Sequence, residues 1–238
     1  MQKKNPYFRF KQFSIEHTGA AMKVGTDGVL VGCWAEVVSA KRLLDIGTGS
    51  GVIALMLAQR TDADALIHAA EAEPEAADQA MRNIAASPWP DKVKVHSVRI
   101  QEFRPDFKFD HIISNPPFFV NSFLPPDKRR KEARHTASLS FKDLIDAVVD
   151  LLDADGKFSL IIPPVEGAIL REYAIQRGLF CSRLCEFRPR AGKPIERWLM
   201  EFVFQESETS RSELIMYADG TEWTEDFKSL SRDFYLKL

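Results

Sequence analysis

Two short stretches of the chain hold residues whose types and spacing can do chemistry: Ser114-Asn115-Pro116-Pro117-Phe118 and Asp45-Ile46-Gly47-Thr48-Gly49-Ser50-Gly51. In the first, the Asn115 side-chain oxygen and the Pro116 carbonyl are hydrogen-bond acceptors. An amino group on an aromatic or acyl carbon is a poor nucleophile because its lone pair is delocalised. Acceptors that draw its hydrogens out of the plane return that lone pair to nitrogen, and the two proline rings hold the acceptors still. Phe118 adds a flat face on which a base or an amide can stack. These residue types point to group transfer onto a planar amino nitrogen by positioning and electrostatics, with neither metal nor covalent intermediate. A proline-rich turn with a core phenylalanine is the alternative for this stretch alone.

In the second stretch, Gly47, Gly49 and Gly51 fall between an apolar run and a helix-like one, where backbone turns sharply and a ligand can approach closely. No Gly-Lys-Ser/Thr follows, and the spacing departs from the full dinucleotide fingerprint, so pyrophosphate binding is disfavoured. Asp45 would repel a phosphate but suits a cation, such as the amino and sulfonium groups of S-adenosylmethionine. Glu71, closing the next apolar run, stands where an acid accepts ribose hydroxyls, with Glu73 as its rival. A plain β-turn-α with tolerated glycines is the alternative here. The presence of both stretches in one chain disfavours both alternatives.

The elements that must position these residues can be read around them. From Lys41 onward, short apolar runs alternate with helix-like stretches, the pattern of a parallel sheet covered by helices. Strands are expected at residues 42–46, 66–71, 93–96 and 109–114, the last stopped by Asn115-Pro116-Pro117 because prolines cannot donate to a ladder. Helices are expected at 52–60, from Pro74 through Ala77, Ala80, Met81 and Ile84, at 141–152 behind Ser140, and at 165–177. Asp155-Gly156 is expected to turn the chain into a strand at 157–162. Runs at 179–187 and 198–204 read as an antiparallel pair at one edge, and the tail after Gln205 reads as polar. The expectation is one α/β domain over 1–238. Its sheet is Rossmann-like and mostly parallel, with seven strands, helices on both faces and an antiparallel edge strand. Residues 1–40 form an extension or lid, 41–205 the core and 206–238 a tail.

With 32 basic and 34 acidic residues the formal charge is −2, so no global field announces a nucleic-acid partner and local clusters must carry that argument. Lys128, Arg129, Arg130, Lys131 and Arg134 crowd the loop behind Asn115, where they could track a phosphate backbone beside a flipped base; a solvated charge run is the alternative. Lys3, Lys4, Arg9 and Lys11 interleave with Tyr7, Phe8, Phe10 and Phe13, which suits stacking on RNA but suits an N-terminal strand packed on the domain somewhat better. Arg188, Arg190, Lys193 and Arg197 form a third basic patch. Cys33, Cys181 and Cys185 make no Cys-x-x-Cys pair, which fits a reducing cytoplasm and makes zinc unexpected. No apolar stretch reads as a leader or a membrane span, so a cytoplasmic monomer without metal is expected.

Together, Asp45 to Gly51 and Asn115 to Phe118 resemble the class I methyltransferases that act on amino nitrogens. The run Met22-Lys23-Val24-Gly25-Thr26-Asp27-Gly28-Val29-Leu30 narrows the resemblance to the bacterial tRNA1(Val) adenine-N6 methyltransferase family. It covers most of residues 5–205, including Ala86-Ser87-Pro88-Trp89, Ala133-Arg134-His135 and Leu139-Ser140-Phe141. The resemblance implies the class I fold, S-adenosylmethionine as cofactor, a tRNA substrate, and adenine 37, on the 3′ side of the anticodon, as target. It also implies that Lys23, Thr26 and Asp27 close over the methionine end of the cofactor. Asp45, Gly47, Thr48, Gly49 and Gly51 hold that moiety, Glu71 holds the ribose, and Asn115, which also counts among the cofactor-binding residues, grips the amine with the backbone of Pro116 and Pro117. In one departure, Val98-Arg99-Ile100 stands where many class I enzymes carry an acid against the cofactor adenine, and Gln101 and Glu102 are the next candidates. The same chemistry on a protein glutamine amide, a ribosomal RNA guanine N2 or a DNA adenine N6 is the competing reading, and a non-catalytic RNA-binding module is another.

Overall fold

The apolar run Arg42–Ile46 forms β3 in the interior of the main sheet, buried on both faces apart from Arg42, as expected of a strand with parallel neighbours on each side. The structure, a computed structural model, describes residues 6–17, 24–117 and 139–237. In chain order these form β1 (Tyr7–Arg9), β2 (Ser14–Glu16), α1 (Thr26–Trp34), β3 (Arg42–Ile46), α2 (Val52–Arg60), β4 (Leu66–Glu71), α3 (Pro74–Ala85) and β5 (Val93–Ser97). A 3-10 turn at Ile100–Glu102 precedes β6 (Phe109–Ser114). Then come α4 (Phe141–Leu151), β7 (Leu152–Ile162), α5 (Pro164–Gln176), β8 (Phe180–Arg190), β9 (Arg197–Val203), β10 (Ser210–Tyr217) and α6 (Glu225–Ser231). Ser140 caps α4 by accepting the Asp143 N–H at 3.1 Å.

The main sheet has the order β10-β8-β9-β7-β6-β3-β4-β5, with β9 antiparallel to both neighbours and the other pairings parallel. Chain order runs outward from β3 to β4 and β5, then returns to β6 on the other side of β3. Connections therefore reverse direction between β3 and β6, which in an open α/β sheet opens a crevice at the carboxyl ends of those two strands. One core packs α1, α2, α3 and α6 against one face, and a second packs α4 and α5 against the other.

The α/β fold class stands, and several details differ from expectation. The sheet has eight strands, not seven: the segment expected as a polar tail supplies β10, parallel to β8, and α6. Of β10 only Leu214 is buried, because an edge strand exposes most of its side chains and leaves little apolar alternation to read. The antiparallel pair expected toward one edge is β8 with β9. Asp155-Gly156 lies inside β7, at an irregularity where the register against β6 shifts. A Cβ on Gly156 would come within 2.9 Å of the Phe109 carbonyl, so backbone packing and not a turn sets that glycine. On α3, Met81 is 41% exposed, while Gln79 and Asn83 are buried beside Ala77, Ala80 and Ile84.

Of the N-terminal aromatics, Phe10 and Phe13 are packed inward, Phe8 is half-buried and Tyr7 is exposed. Phe10 and Phe13 are buried and stack with ring centroids 4.6 Å apart, and Lys11 N donates to Phe234 O at 2.8 Å, joining the β1–β2 hairpin to the C-terminal residues. Cys33, Cys181 and Cys185 are buried free thiols, and burial pushes Cys33 up to about 12 and Cys181 to about 11. No helix among the described residues is long and apolar enough to cross a membrane.

Glu71's strand, β4, shares a histidine pair with β5. His68 Nδ1 and His96 Nε2 share a hydrogen bond at 2.9 Å, among Phe103, Phe107 and Phe109. Burial, reinforced by His96 and Lys94, pushes His68 down to about 4, and burial also lowers His96. Buried His111, hydrogen-bonded to Ser159 at 2.9 Å, is pushed down to about 3. Each folded imidazole stays neutral where the unfolded chain already takes up protons. The stability it contributes is therefore present above about pH 6.5 and lost as pH falls toward 4. The wild-type urea midpoint is expected to lose ground to that of His68→Phe as pH falls from 6.5 to 4.5. A difference between the two that stays constant across that window would rule out the neutral pair.

Candidate active site

The glycine-rich turn is held from below by a buried carboxylate. Asp45, fully buried in β3, accepts the Thr48 hydroxyl at 2.6 Å and the Ala54 N–H at 3.2 Å through Oδ2. Ala54 lies in the first turn of α2, whose N-cap, Gly51, has no side chain to cap with. Asp45 therefore does the capping from the preceding strand, a contact worth about 1 kcal/mol in ordinary helices. Its other oxygen, Oδ1, is buried and has no hydrogen-bond partner among the described residues. Burial pushes this carboxyl up to about 7, against the Thr48 and Ala54 bonds, which pull it down. The sequence placed Asp45 as a direct attractor of a cation; the geometry adds that it first builds the turn.

Gly47, Gly49 and Gly51 have φ of 74°, 54° and 85°, where a side chain would be strained. Among the described residues no atom lies within 4 Å of where a Cβ would stand on Gly47 or Gly49, so they leave the turn facing open space, whereas the Gly51 position contacts Ala80 of α3 at 3.5 Å. Glu71 closes β4 beside the turn: Oε2 accepts the Gly49 N–H at 2.8 Å and Oε1 accepts the Glu73 N–H at 3.0 Å. Both carboxylate oxygens thus already order backbone, and each keeps lone pairs for a further donor.

The second stretch arrives from the neighbouring strand. Ser114 pairs with Ile46 in the β3–β6 ladder, and its hydroxyl donates to the Ile46 carbonyl at 2.9 Å. Asn115 therefore leaves β6 directly beside the point where Gly47 leaves β3, at the reversal of the sheet. Asn115 is half-buried, Pro116 buried and Pro117 exposed. Thr26 and Asp27 open α1, and Asp27 accepts the Arg197 guanidinium at 2.8 Å, tying α1 to the start of β9. Lys23, Phe118, Lys128, Arg129, Arg130, Lys131 and Arg134 lie outside the described residues. Sequence reasoning gave Ser114 no role of its own and missed Asn83 and the Arg197–Asp27 pair. The signal for Asn83 was present, a polar residue at core spacing on α3, but its partners are backbone atoms distant in sequence.

A cradle built this way tests directly whether S-adenosylmethionine fits. The open space over Gly47 and Gly49 admits a ligand against bare backbone, the unpartnered Asp45 Oδ1 is an acceptor suited to a cation, and Glu71 retains acceptor capacity for hydroxyls. The donor and acceptor set fits. Among the described residues no group of three or more His, Cys, Asp or Glu is arranged to hold a metal.

Fold and site together define a methyltransferase of the Rossmann-like class. The sequence model of the family described as methyltransferase small domain matches residues 21–163. The tRNA1(Val) (adenine(37)-N6)-methyltransferase of Bacteroides thetaiotaomicron is 42% identical over 98% of this chain and 99% of its own. That of Pseudoalteromonas translucida is 44% identical over 97% and 99%. The chain belongs to the methyltransferase small-domain family and, within it, to the family of these tRNA1(Val) (adenine(37)-N6)-methyltransferases. Among solved structures, one named as a predicted O-methyltransferase from Agrobacterium tumefaciens matches at a TM-score of 0.64 and 22% identity, over 87% of this chain and 96% of that one. The ribosomal protein L11 methylase of Lactobacillus delbrueckii subsp. bulgaricus matches at 0.58 and 15%, over 81% and 84%. At these identities the likeness bears on fold alone.

Proposed function

We propose that this chain transfers the methyl group of S-adenosylmethionine to the exocyclic N6 of an adenine in tRNA, adenine 37 of tRNA1(Val). The observation that carries the chemistry is the juxtaposition of Asn115 with the glycine turn across one strand pair; the choice of RNA rests on the names of the relatives.

Bound at the turn, S-adenosylmethionine supplies an electrophilic methyl carbon on a sulfonium. The chain's residues do the rest. Gly47, Thr48, Gly49 and Gly51 present backbone to the methionine end, and Lys23, Thr26 and Asp27 are assigned to close over it. Asp45 offers its unpartnered oxygen to the amine, and Glu71 takes the ribose hydroxyls. Asn115 Oδ1 and the Pro116 carbonyl accept the two hydrogens of the target amine and turn its lone pair toward the methyl donor, with the Pro117 backbone completing the grip. The adenine stacks on Phe118. The proton shed by the methylated nitrogen leaves to water, so no general base is needed. Lys128, Arg129, Arg130, Lys131 and Arg134 contact phosphates flanking the flipped base.

The test is incubation of the purified protein with labelled cofactor and deproteinised tRNA from cells lacking the enzyme, followed by nucleoside mass spectrometry. The expected product is N6-methyladenosine in tRNA1(Val) alone. Label appearing in a protein glutamine, in ribosomal RNA or in DNA instead would reject the tRNA assignment.

A further inference from the structure

The face of α3 turned toward the glycine turn carries a saturated amide. Asn83 is 3% exposed, and its Nδ2 donates to the Ser50 carbonyl at 2.8 Å and to the Glu16 carbonyl at 3.1 Å, while its Oδ1 accepts the Glu16 N–H at 2.9 Å. Both amide hydrogens and the amide oxygen are thus engaged, all on backbone. Glu16 is gripped at its N–H and its C=O, as a neighbouring strand would grip it, and the same side chain reaches the middle of the turn.

The Ser50 contact bears on ligand binding because of peptide planarity. In a trans peptide the C=O and N–H point in opposite directions, so fixing both ends fixes the plane. The Ser50 carbonyl is held by Asn83, and the N–H of the same peptide, that of Gly51, donates to Thr48 O at 2.9 Å. The Thr48–Gly49 peptide is held at both ends in the same way, by that bond at its carbonyl and by Glu71 at the Gly49 N–H. Two peptides of the turn, Thr48–Gly49 and Ser50–Gly51, are therefore held from β4 through Glu71, from α3 through Asn83, and by the Gly51–Thr48 bond between them. Gly51, at positive φ, and Ala80 set the close approach that lets Asn83 reach.

We propose that Asn83 is a positioning residue that sets the orientation of the Ser50–Gly51 peptide for the cofactor and couples cofactor binding to the β1–β2 hairpin through Glu16. The inference rests on the glycine turn being the cofactor site. Without Asn83 the peptide is held only at its N–H end and three backbone groups lose their partner, so its carbonyl end must be ordered at the moment of binding. The coupling is reciprocal: a ligand that orders the turn also holds Glu16.

The experiment is calorimetric and kinetic titration of S-adenosylmethionine into wild type, Asn83→Ala and, as a stability control, Ser159→Ala on β7, two strands from β3. Expected for Asn83→Ala is a rise of about tenfold in the cofactor Kd and KM, with kcat at saturating cofactor falling by less than about threefold. Ser159→Ala should lower the melting temperature and leave the cofactor Kd in place. An unchanged Kd in Asn83→Ala, or an equal rise in Ser159→Ala, overturns the inference while the cofactor site stands. Wild type that takes up no S-adenosylmethionine overturns both. Should Asn83→Ala fail to fold, hydrogen exchange on wild type decides: the Glu16 amide is expected to slow at least several-fold on cofactor addition, and an unchanged rate refutes the coupling.

Discussion

Asn115→Ala is expected to lower kcat for methyl transfer by about 10²–10³-fold, the usual effect of removing one preorganised polar group from a charge-developing centre. The effect on cofactor affinity should be far smaller. The expectation follows from where Asn115 stands. Ser114 is locked into the β3–β6 ladder and into the Ile46 carbonyl, so the residue after it departs from a rigid strand end, and Pro116 and Pro117 remove the backbone freedom beyond it. A single-turnover measurement with saturating cofactor and tRNA separates the chemical step from binding. If the variant lost affinity for cofactor or tRNA and kept its single-turnover rate, Asn115 would be a binding residue and the account of nitrogen activation would be wrong.

The second large effect is on pH dependence, through Asp45. Burial holds its carboxyl near 7, with Glu71 adding a smaller push in the same direction. Its folded value is raised above the unfolded one of 3.8, so the folded chain holds a proton that the unfolded chain has lost between about pH 4 and 7. The stability of the ligand-free protein from this group is therefore greatest below about pH 4 and declines as pH rises toward 7, opposite in sign to the histidine contribution. A cation seated against Oδ1 needs the ionised form. Cofactor affinity is accordingly expected to rise by up to tenfold per pH unit below about 7 and to level off above it. Asp45→Asn, which keeps an oxygen for Thr48 and Ala54, should flatten the profile and bind weakly throughout. Titration across pH 5.5–8.5 reads this out. A wild-type profile as flat as that of the variant would mean that Asp45 only builds the turn.

The elements nearest the site were legible because their signals are local. β3 is a continuous apolar run ended by glycines, β6 is a run stopped by two prolines, and each reports its own boundary through backbone chemistry. The strands closing the sheet were less so. β10 reads as a tail because its pairing with β8 supplies backbone bonds that its mostly exposed side chains do not advertise. The turn expected at Asp155-Gly156 proved to be an irregularity inside β7, a distinction set by the register against β6 and not by the residues themselves.

The site divides along the same line. The residue types at Asp45, Gly47, Gly49, Glu71 and Asn115-Pro116-Pro117 determined by themselves which ligand chemistry the chain could serve, because charge, glycine's access to positive φ and proline's lack of an N–H belong to a residue wherever it lies. The tertiary structure alone decided that Asp45 caps α2 while keeping one oxygen unpartnered, that Asp27 meets Arg197, and that Asn83 joins Glu16 to Ser50. These depend on distances between residues far apart in the chain, and burial and pairing exist only once the sheet has brought them together.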